Sequence, residues 1–463
     1  MSIWQVKRNG AEADPVEPGK PQPATPSVDA APMSPARFDK MLDLKMNIHQ
    51  QLLERVNLAL LDKLSRDTIS GEVSEIVSDI LAEEGEALNK ADRTALSNDI
   101  VDELLGLGPL EPLLKDESIT DILVNGYKTV FVERGGLLER VPTRFQDERH
   151  LLRIIQRIVS AVGRRVDESS PFVDARLADG SRVNAIVAPL AIDGSLLSIR
   201  KFSKKPISMA RMIELGSIPQ SVADILKAVV QARFNIIISG GTGSGKTTML
   251  NALSSYINER ERIVTIEDSA ELQLQQEHVA RLETRPPNIE GKGEVTQRDL
   301  VKNALRMRPD RIILGECRGG EAFDMLQAMN TGHDGSMTTI HANTPRDALS
   351  RIEQMIGMSG IDIAPRSARA QIASAIHIVM QIARLSDGKR KLVSLSEITG
   401  MEGETISMQE IYRFRMTGRD ESGHVLGQFE ATGIRPKFAG QLAAHGMHLD
   451  AELFRPNVRV DGT

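Results

Sequence analysis

An α/β fold is predicted by three features of this 463-residue sequence. From residue 233 onward, apolar β-branched runs alternate regularly with helical segments, the signature of βαβ units and a sheet covered on both faces. One run ends in "GGTGSGKTT", a glycine-rich turn that opens a helix. Ahead of it, residues 119–202 combine hairpin signals with one amphipathic helix, which reads as a separate α+β domain.

Each element follows in chain order. Residues 1–37 carry seven of the 21 prolines and little that can form a core, and are expected to be a disordered Pro-rich tail. Residues 38–112 are expected to form a small helical bundle. Phe38, Leu42, Ile48, Leu52, Val56 and Leu60 recur mostly at four-residue spacing, and further helices are predicted near 68–83 and 92–106. "LNKAD" at 88–92 contains a string used elsewhere to read guanine, but it lies on a polar helical surface with no strand before it, and we read it as chance.

Residues 113–205 form the predicted α+β domain. Asn125-Gly126 and Gly135-Gly136 mark hairpins. The helix "DERHLLRIIQRIVSAVG" sets Leu151, Ile154, Ile155 and Ile158 on one face, and strands are predicted around 182–187 and 195–202. Residues 206–220 read as a linker. Residues 221–400 hold strand candidates at 233–239, 261–267, 311–315, 336–341 and 377–383. Short strands are expected after about residue 385, and residues 401–463 read as a C-terminal extension with a hairpin pattern in "FRMTGRDESGHVLGQFEATGIRP".

Composition narrows the function classes. Apolar residues make up 41% and charged residues 26%, an ordinary globular balance. A net charge of -6 argues against sequence-independent nucleic-acid binding as the main activity. With Cys317 alone, neither an internal disulfide nor a cysteine-based zinc site is possible. No run of eighteen apolar residues appears and the first residues lack a signal-peptide pattern, so the expected location is the cytoplasm.

Gly240–Thr247 fits G-x-x-x-x-G-K-[ST] without departure. Gly240, Gly241, Gly243 and Gly245 let the backbone curl around Thr242 and Ser244 so that successive N–H groups face phosphate oxygens. The helix that follows adds the positive end of its dipole. Lys246 is placed to reach the terminal phosphates, Thr247 to ligate Mg²⁺, and Thr248 to make a secondary contact.

Hydrolysis needs more than a cradle. "RIILGE" ends in Glu316, a candidate for the Mg²⁺ shell or for polarising water, and "RIVTIED" delivers Glu267 and Asp268, with Glu271 three residues on. Two strands bringing carboxylates to one sheet edge is what an open α/β sheet does at its ligand crevice. His341 ends a third strand and is a candidate to sense the terminal phosphate or polarise water, although taken alone it reads at least as readily as a satisfied core histidine; His333, in "NTGHDGS", is a weaker candidate. Arg176, Arg182 and Arg200, in "DARLADGSRVNA" and "SIRKF", are candidate fingers from the preceding domain. Each taken alone reads as a surface ion pair more readily than as a finger.

Together these segments resemble the secretion ATPases of the type II and type IV machines, nearest to the CpaF/TadA-like group of tight-adherence (Flp) pilus motors. The resemblance covers about residues 100–400 and extends to "FEATGIRPKFAGQLAAHG". "TIEDSAEL" resembles the family's aspartate box and implies Glu267 as the water-activating base. "RMRPDRIILGECRGGEAFDML" resembles its second box, with a Gly-Glu pair, and "GSMTTIHANTPRDALSRIE" its histidine box. Ser269 stands where proline is usual, and Cys317 where an aliphatic residue is usual. The resemblance implies a RecA-like P-loop NTPase C-terminal domain behind the α+β N-terminal domain and helical bundle, with ATP and Mg²⁺ held between the two larger domains and the three arginines reaching the nucleotide. It also implies a homo-oligomeric, hexameric ring docked on inner-membrane platform proteins, driving pilin assembly and retraction.

Two other readings stay open at this stage. A RecA-type nucleic-acid translocase would need a basic, aromatic strand path, whereas only 3% of residues are aromatic. A nucleotide-gated switch would bind ATP with negligible turnover.

Overall fold

The computed structural model describes residues 66–84, 88–177, 179–202, 206–287 and 291–456, together with Met41, Leu44, Lys45, Asn47, Ile48 and Gln51. The Pro-rich tail, and Phe38, Leu42, Leu52, Val56 and Leu60 of the first predicted helix, lie outside the described residues. The chain divides into two units, residues 1–104 and 105–463.

In the first unit, helices α1 (Arg66–Glu84) and α2 (Lys90–Leu105) bury Ile69, Val73, Val77, Ile80 and Leu81 and, on α2, Leu96, Ile100 and Val101. That four-residue recurrence is the apolar stripe of an amphipathic helix. The Asn89 side chain accepts from the Asp92 N–H at 2.8 Å, so "NKAD" is the capped start of α2 rather than a base-reading loop.

The second unit begins with a short helix, α3 (Glu111–Lys115), whose Leu113 joins the core of the α+β domain. Leu110 does the same, so residues expected in the helical bundle belong to this core instead. Strands β1 (Ile119–Asn125), β2 (Val130–Arg134) and β3 (Leu137–Val141) precede helix α4 (Glu148–Ala161), followed by β4 (Phe172–Arg176), β5 (Arg182–Ile186) and β6 (Leu196–Arg200). They form one antiparallel sheet in the order β3-β2-β1-β6-β5-β4. Both predicted hairpin turns are present, with Gly126, Gly135 and Gly136 at positive φ. Strand β4 escapes a periodicity reading because "FVDAR" buries Val173 alone among its five residues.

One face of this sheet is covered. Leu151, Ile154, Ile155, Ile158 and Val159 of α4 pack on Ile122, Val124, Val132, Val183, Leu197 and Ile199. Because side chains alternate along a strand, the odd-numbered partners of β1 and the even-numbered partners of β4, β5 and β6 point the other way. That opposite face is polar and carries Asp121, Arg176, Arg182 and Arg200.

Residues 206–220, expected as a linker, contain helix α5 (Met209–Glu214) and bury Met209, Met212 and Ile218 in the larger core. Apolar side chains on that segment gain more from burial than from spanning solvent. There follow α6 (Gln220–Gln231), β7 (Ile236–Gly240), α7 (Lys246–Ser254), β8 (Ile263–Glu267), β9 (Val279–Glu283), α8 (Gln297–Ala304), β10 (Arg311–Cys317), α9 (Glu321–Asn330), β11 (Met337–Ile340), α10 (Pro345–Met358), α11 (Pro365–Ala375) and β12 (Ile378–Arg384). The strand β9 was not visible in the sequence; it is a half-exposed edge strand with the mixed pattern "VARLE".

The last strands are longer than the sequence suggests. β13 (Arg390–Glu402) has 13 residues and β14 (Thr405–Arg419) has 15, before β15 (Val425–Ala431) and α12 (Phe438–Ala444). They continue the same sheet, whose order is β15-β14-β13-β12-β7-β11-β10-β8-β9. Strands β12 to β9 in that order run parallel, and β13, β14 and β15 add on antiparallel. Phe429, Phe438 and Phe454 pack into the core under α6 and α7, so the C-terminal residues are part of this domain rather than an appendage.

Candidate active site

The parallel strands end together at one edge, and the loops leaving them build the site. β7 is buried along its length and leads directly into the glycine-rich turn. Gly243 and Gly245 sit at φ +68° and +95°, where a Cβ would strain the backbone. Gly240 is demanded for a different reason: a Cβ there would lie 2.4 Å from the Ile382 carbonyl oxygen. Around Gly241 there is open space. Helix α7 begins at Lys246, so Thr247 and Thr248 occupy its first turn, where unpaired N–H groups and the helix dipole favour an anion.

Lys246 is only 7% exposed. Its Nζ donates to the Gly241 carbonyl at 3.0 Å and lies 3.1 Å from His341 Nε2. Burial and the nearby Arg318 lower its pKa, with Glu316 opposing. His341 follows the end of β11, and Gln381 holds the turn after it by donating to the Ala342 and Asn343 carbonyls. The same His341 Nε2 is 3.2 Å from Glu316 Oε1. One ring nitrogen can accept from Lys246 or donate to Glu316, not both. Burial, reinforced by Lys246, pushes its pKa below the usual histidine value, which favours the neutral ring. His333 precedes β11, at the opposite end of the strand, and is not brought to the site.

Glu267 ends β8, is 3% exposed, and packs beside Gly315, whose added Cβ would lie 3.0 Å from the Glu267 Cγ. Its Oε1 accepts from the backbone N–H groups of Glu271 and Leu272, each at 2.8 Å. Oε2 has no hydrogen-bond partner among the described residues. Burial raises this carboxyl to about 7, against the pull of those two N–H bonds. A buried carboxyl whose pKa is raised toward neutrality has the form of a general base.

The three arginines are brought together. Arg176 pairs with Arg182, Arg182 with Arg200, and Arg200 with Asp121, so they form a single row across β4, β5, β6 and β1. Like charges directly opposite destabilise a sheet unless each finds a counter-charge. Arg176 meets Glu283 at 3.1 Å and donates to the Ala270 carbonyl at 2.8 Å. Arg182 meets Glu271 at 2.8 Å. Both therefore reach from the α+β domain to the loop and strand beside Glu267. Arg200 does not: it is 62% exposed on its side chain and pairs within its own sheet, with Asp121 at 3.2 Å.

This row lines a cleft of about 1160 Å³, with Asp268, Thr284 and Arg318 on its far wall. The cleft lies beside the phosphate cradle, and Arg318 connects the two. It contacts Glu316 at 2.7 Å and Asp268 at 3.5 Å, in a turn fixed by Glu321 accepting from the Arg318 and Gly319 N–H groups. A continuous polar chain thus runs from Lys246 through His341 and Glu316 to Arg318. Arg318, Glu283, Arg384 and Arg390 were missed in the sequence. The signal for the last two was the Asp387-Gly388 turn following a strand, which marks a hairpin whose arms carry one arginine each.

Among the described residues, no group of three or more His, Cys, Asp and Glu side chains converges as a metal cage. Mg²⁺ takes one or two protein oxygens together with substrate phosphates. The hydroxyl of Thr247 and the carboxylate of Glu316 are candidate oxygen donors at this edge, beside the carboxylates of Glu267 and Asp268.

A parallel sheet with a phosphate-cradling loop at the end of an inner strand, and carboxylates on neighbouring strands, defines a RecA-like P-loop nucleotide hydrolase. Residues 103–425 match the family model described as "Type II/IV secretion system protein". The chain belongs to that family and is an ATPase. It is 40% identical over 307 residues to the putative conjugal transfer protein Rv3659c of Mycobacterium tuberculosis (strain ATCC 25618 / H37Rv), covering 65% of this chain and 87% of the relative. It is 31% identical over 340 residues to the type IV secretion system protein VirB11 of Bartonella quintana (strain Toulouse), covering 65% and 94%. Among solved structures it is similar to the VirB11 ATPase of the Brucella suis type IV secretion system in complex with sulphate, at 27% identity and a TM-score of 0.35, covering 62% of this chain and 95% of that one. No helix among the described residues is long and apolar enough to cross a membrane.

Proposed function

We propose that this chain is the ATP-hydrolysing motor of a pilus-assembly machine of the tight-adherence (Flp) class, and that ATP turnover drives motion of the α+β domain against the RecA-like domain. The observation that carries this reading is the arginine row. Two of its members already grip the loop and strand beside Glu267, through contacts that a terminal phosphate can replace.

In this mechanism the backbone N–H groups of Gly240–Thr248 cradle the phosphates, and Lys246 neutralises the terminal ones. Thr247 and Glu316 would hold Mg²⁺, which supplies charge neutralisation on the phosphate oxygens when bound. Glu267, in its ionised form, accepts the proton of the attacking water at the unpartnered Oε2. His341 reports the terminal phosphate through its choice between Lys246 and Glu316. Arg176 and Arg182 leave Glu283 and Glu271 for the phosphate and draw the α+β domain inward; phosphate release returns them. Arg200 reaches the phosphate only after that movement.

The motor works as a homo-hexameric ring on the cytoplasmic side of the inner membrane, held there by platform proteins, and nucleic acid is not its substrate. The names of the mycobacterial and Bartonella relatives support a second reading, a conjugal or type IV secretion machine with the same ATPase chemistry.

The test is to mix Lys246→Ala or Arg176→Ala subunits into the wild-type chain and follow ATPase rate together with oligomer size. Steep loss as inactive subunits enter supports coupled sites in a ring. Strictly proportional loss, or activity in a monomer equal to that of the assembly, overturns it. Loss of surface pili on disrupting the gene supports the pilus reading; intact pili with failed transfer supports the second.

A further inference from the structure

The α+β domain meets the RecA-like domain at a second place. Its sheet order puts the β2–β3 hairpin at one edge and β4 and β5 at the other. The β4–β5 edge reaches the loop after β8 and the strand β9 through Arg176 and Arg182. The hairpin at the opposite edge reaches β12: Arg384 donates to the Gly136 carbonyl. In the larger sheet, β7 lies between those landing points, next to β12 and three places from β8. The domain therefore straddles the strand that carries the phosphate loop.

Arg384 also lies beside the loop itself. β12 lies alongside β7, with Ile382 paired to Gly240. A Cβ on Gly243 would stand 3.7 Å from one terminal nitrogen of Arg384, and a Cβ on Gly136 would stand 3.1 Å from the other. Its cross-strand partner is Arg390, whose Nε donates to the Gly243 carbonyl at 2.9 Å. Both positive-φ glycines of the loop tip are thus backed by this pair, since a Cβ on Gly245 would lie 3.2 Å from the Arg390 Cδ.

We propose that Arg384 is a positioning residue of the ATPase site, tying the phosphate loop to the β2–β3 hairpin and so fixing where the arginine row stands over the nucleotide. One planar guanidinium donates to the Gly136 carbonyl with one nitrogen while its other nitrogen faces Gly243, a geometry an ammonium does not reproduce. Phosphate in the cradle places negative charge near this guanidinium, draws it toward Gly243, and moves the Gly136 carbonyl with it. Arg390 holds the loop tip while this happens. The inference rests on the domain-motion reading above.

The test uses the full-length chain and a non-hydrolysable ATP analogue with Mg²⁺. Hydrogen exchange is followed over residues 130–141 and over the phosphate loop, alongside kcat and analogue affinity. In the wild type, the analogue changes exchange in both segments. In Arg384→Gln, the loop still gains protection and affinity stays within about threefold, but the hairpin response disappears and kcat falls by up to about 10²-fold, the scale of a misplaced catalytic group. Arg384→Lys, which keeps the charge and secures the folding control, retains affinity without restoring the hairpin response. A hairpin response as large in Arg384→Gln as in the wild type overturns the proposal. So does a loss of affinity that accounts for all lost turnover, since the residue would then belong to the cradle. Failure of the arginine-row reading looks different: Arg176→Ala would keep full turnover while the hairpin response to nucleotide still required Arg384.

Discussion

Arg182 and Glu271 meet across the cleft at 2.8 Å, one on the α+β sheet and the other on the loop that positions Glu267. Both side chains are partly exposed, so the contact is weak enough for a phosphate to replace it. In the proposed mechanism Glu271 competes with the nucleotide for this guanidinium. Glu271→Gln is expected to tighten binding of a Mg²⁺-ATP analogue by roughly two- to fivefold, the range an exposed pair is worth. Isothermal calorimetry checks this, and unchanged or weaker binding would count against exchange.

The arginines should not be equal in turnover. Arg176→Ala and Arg182→Ala are expected to lower kcat by about 10³-fold or more, the usual scale for a finger. Arg200 pairs inside its own sheet, and Arg200→Ala should cost less than about tenfold by the same scale. Steady-state ATPase assays at saturating ATP decide the ranking.

Glu267 gives a pH prediction with a definite sign. Its carboxyl is raised to about 7 by burial, and only the ionised form can accept a proton. The kcat/KM of the free enzyme should therefore rise with pH through about 7 and level off above it. Stability runs the other way. The folded state holds a proton that the unfolded chain has already released between the usual carboxylate pKa and about 7, so the contribution of this group falls as pH rises across that window. Glu267→Gln should be inactive, yet more stable than the wild type at pH 8 by up to roughly 3 kcal/mol, with little difference at pH 4. Thermal unfolding at the two pH values measures it.

Two glycines of the phosphate loop should respond differently to the same change. Gly240→Ala forces a Cβ against the Ile382 carbonyl and is expected to cost about 1–3 kcal/mol. Gly241→Ala meets open space and should stay within about 0.5 kcal/mol. Chemical denaturation without nucleotide compares them.

Far from the chemistry, Arg311 is fully buried and donates to both oxygens of Glu261, at 2.7 and 3.0 Å. Removing one partner leaves a buried charge uncompensated, so Glu261→Ala should destabilise by about 3–5 kcal/mol. The measurement is the denaturation midpoint; a change under about 1 kcal/mol would mean that solvent reaches Arg311.

Much of the site was legible in the primary structure because its requirements are local. A phosphate loop needs positive φ at fixed positions, and Gly243 and Gly245 announce them; a buried parallel strand is a short apolar run, and Ile236–Ile238 or Ile312–Leu314 can be little else. Glu267, Glu316 and His341 stand at the ends of such runs. The edge strand β9 and the lengths of β13 and β14 were not legible, because half-exposed strands lack a sharp pattern and their pairing partners are distant in sequence.

The amino-acid order alone determined that this chain cradles phosphate and brings carboxylates to the cradle. Only the tertiary structure decided that three arginines line one cleft. Arg176, Arg182 and Arg200 form a row because three strands pair in one register, and a slip of a single residue in any of them would turn its arginine to the opposite face. That register is set by the apolar face packed on α4, a cooperative property of the assembled sheet that none of the three short strands carries by itself.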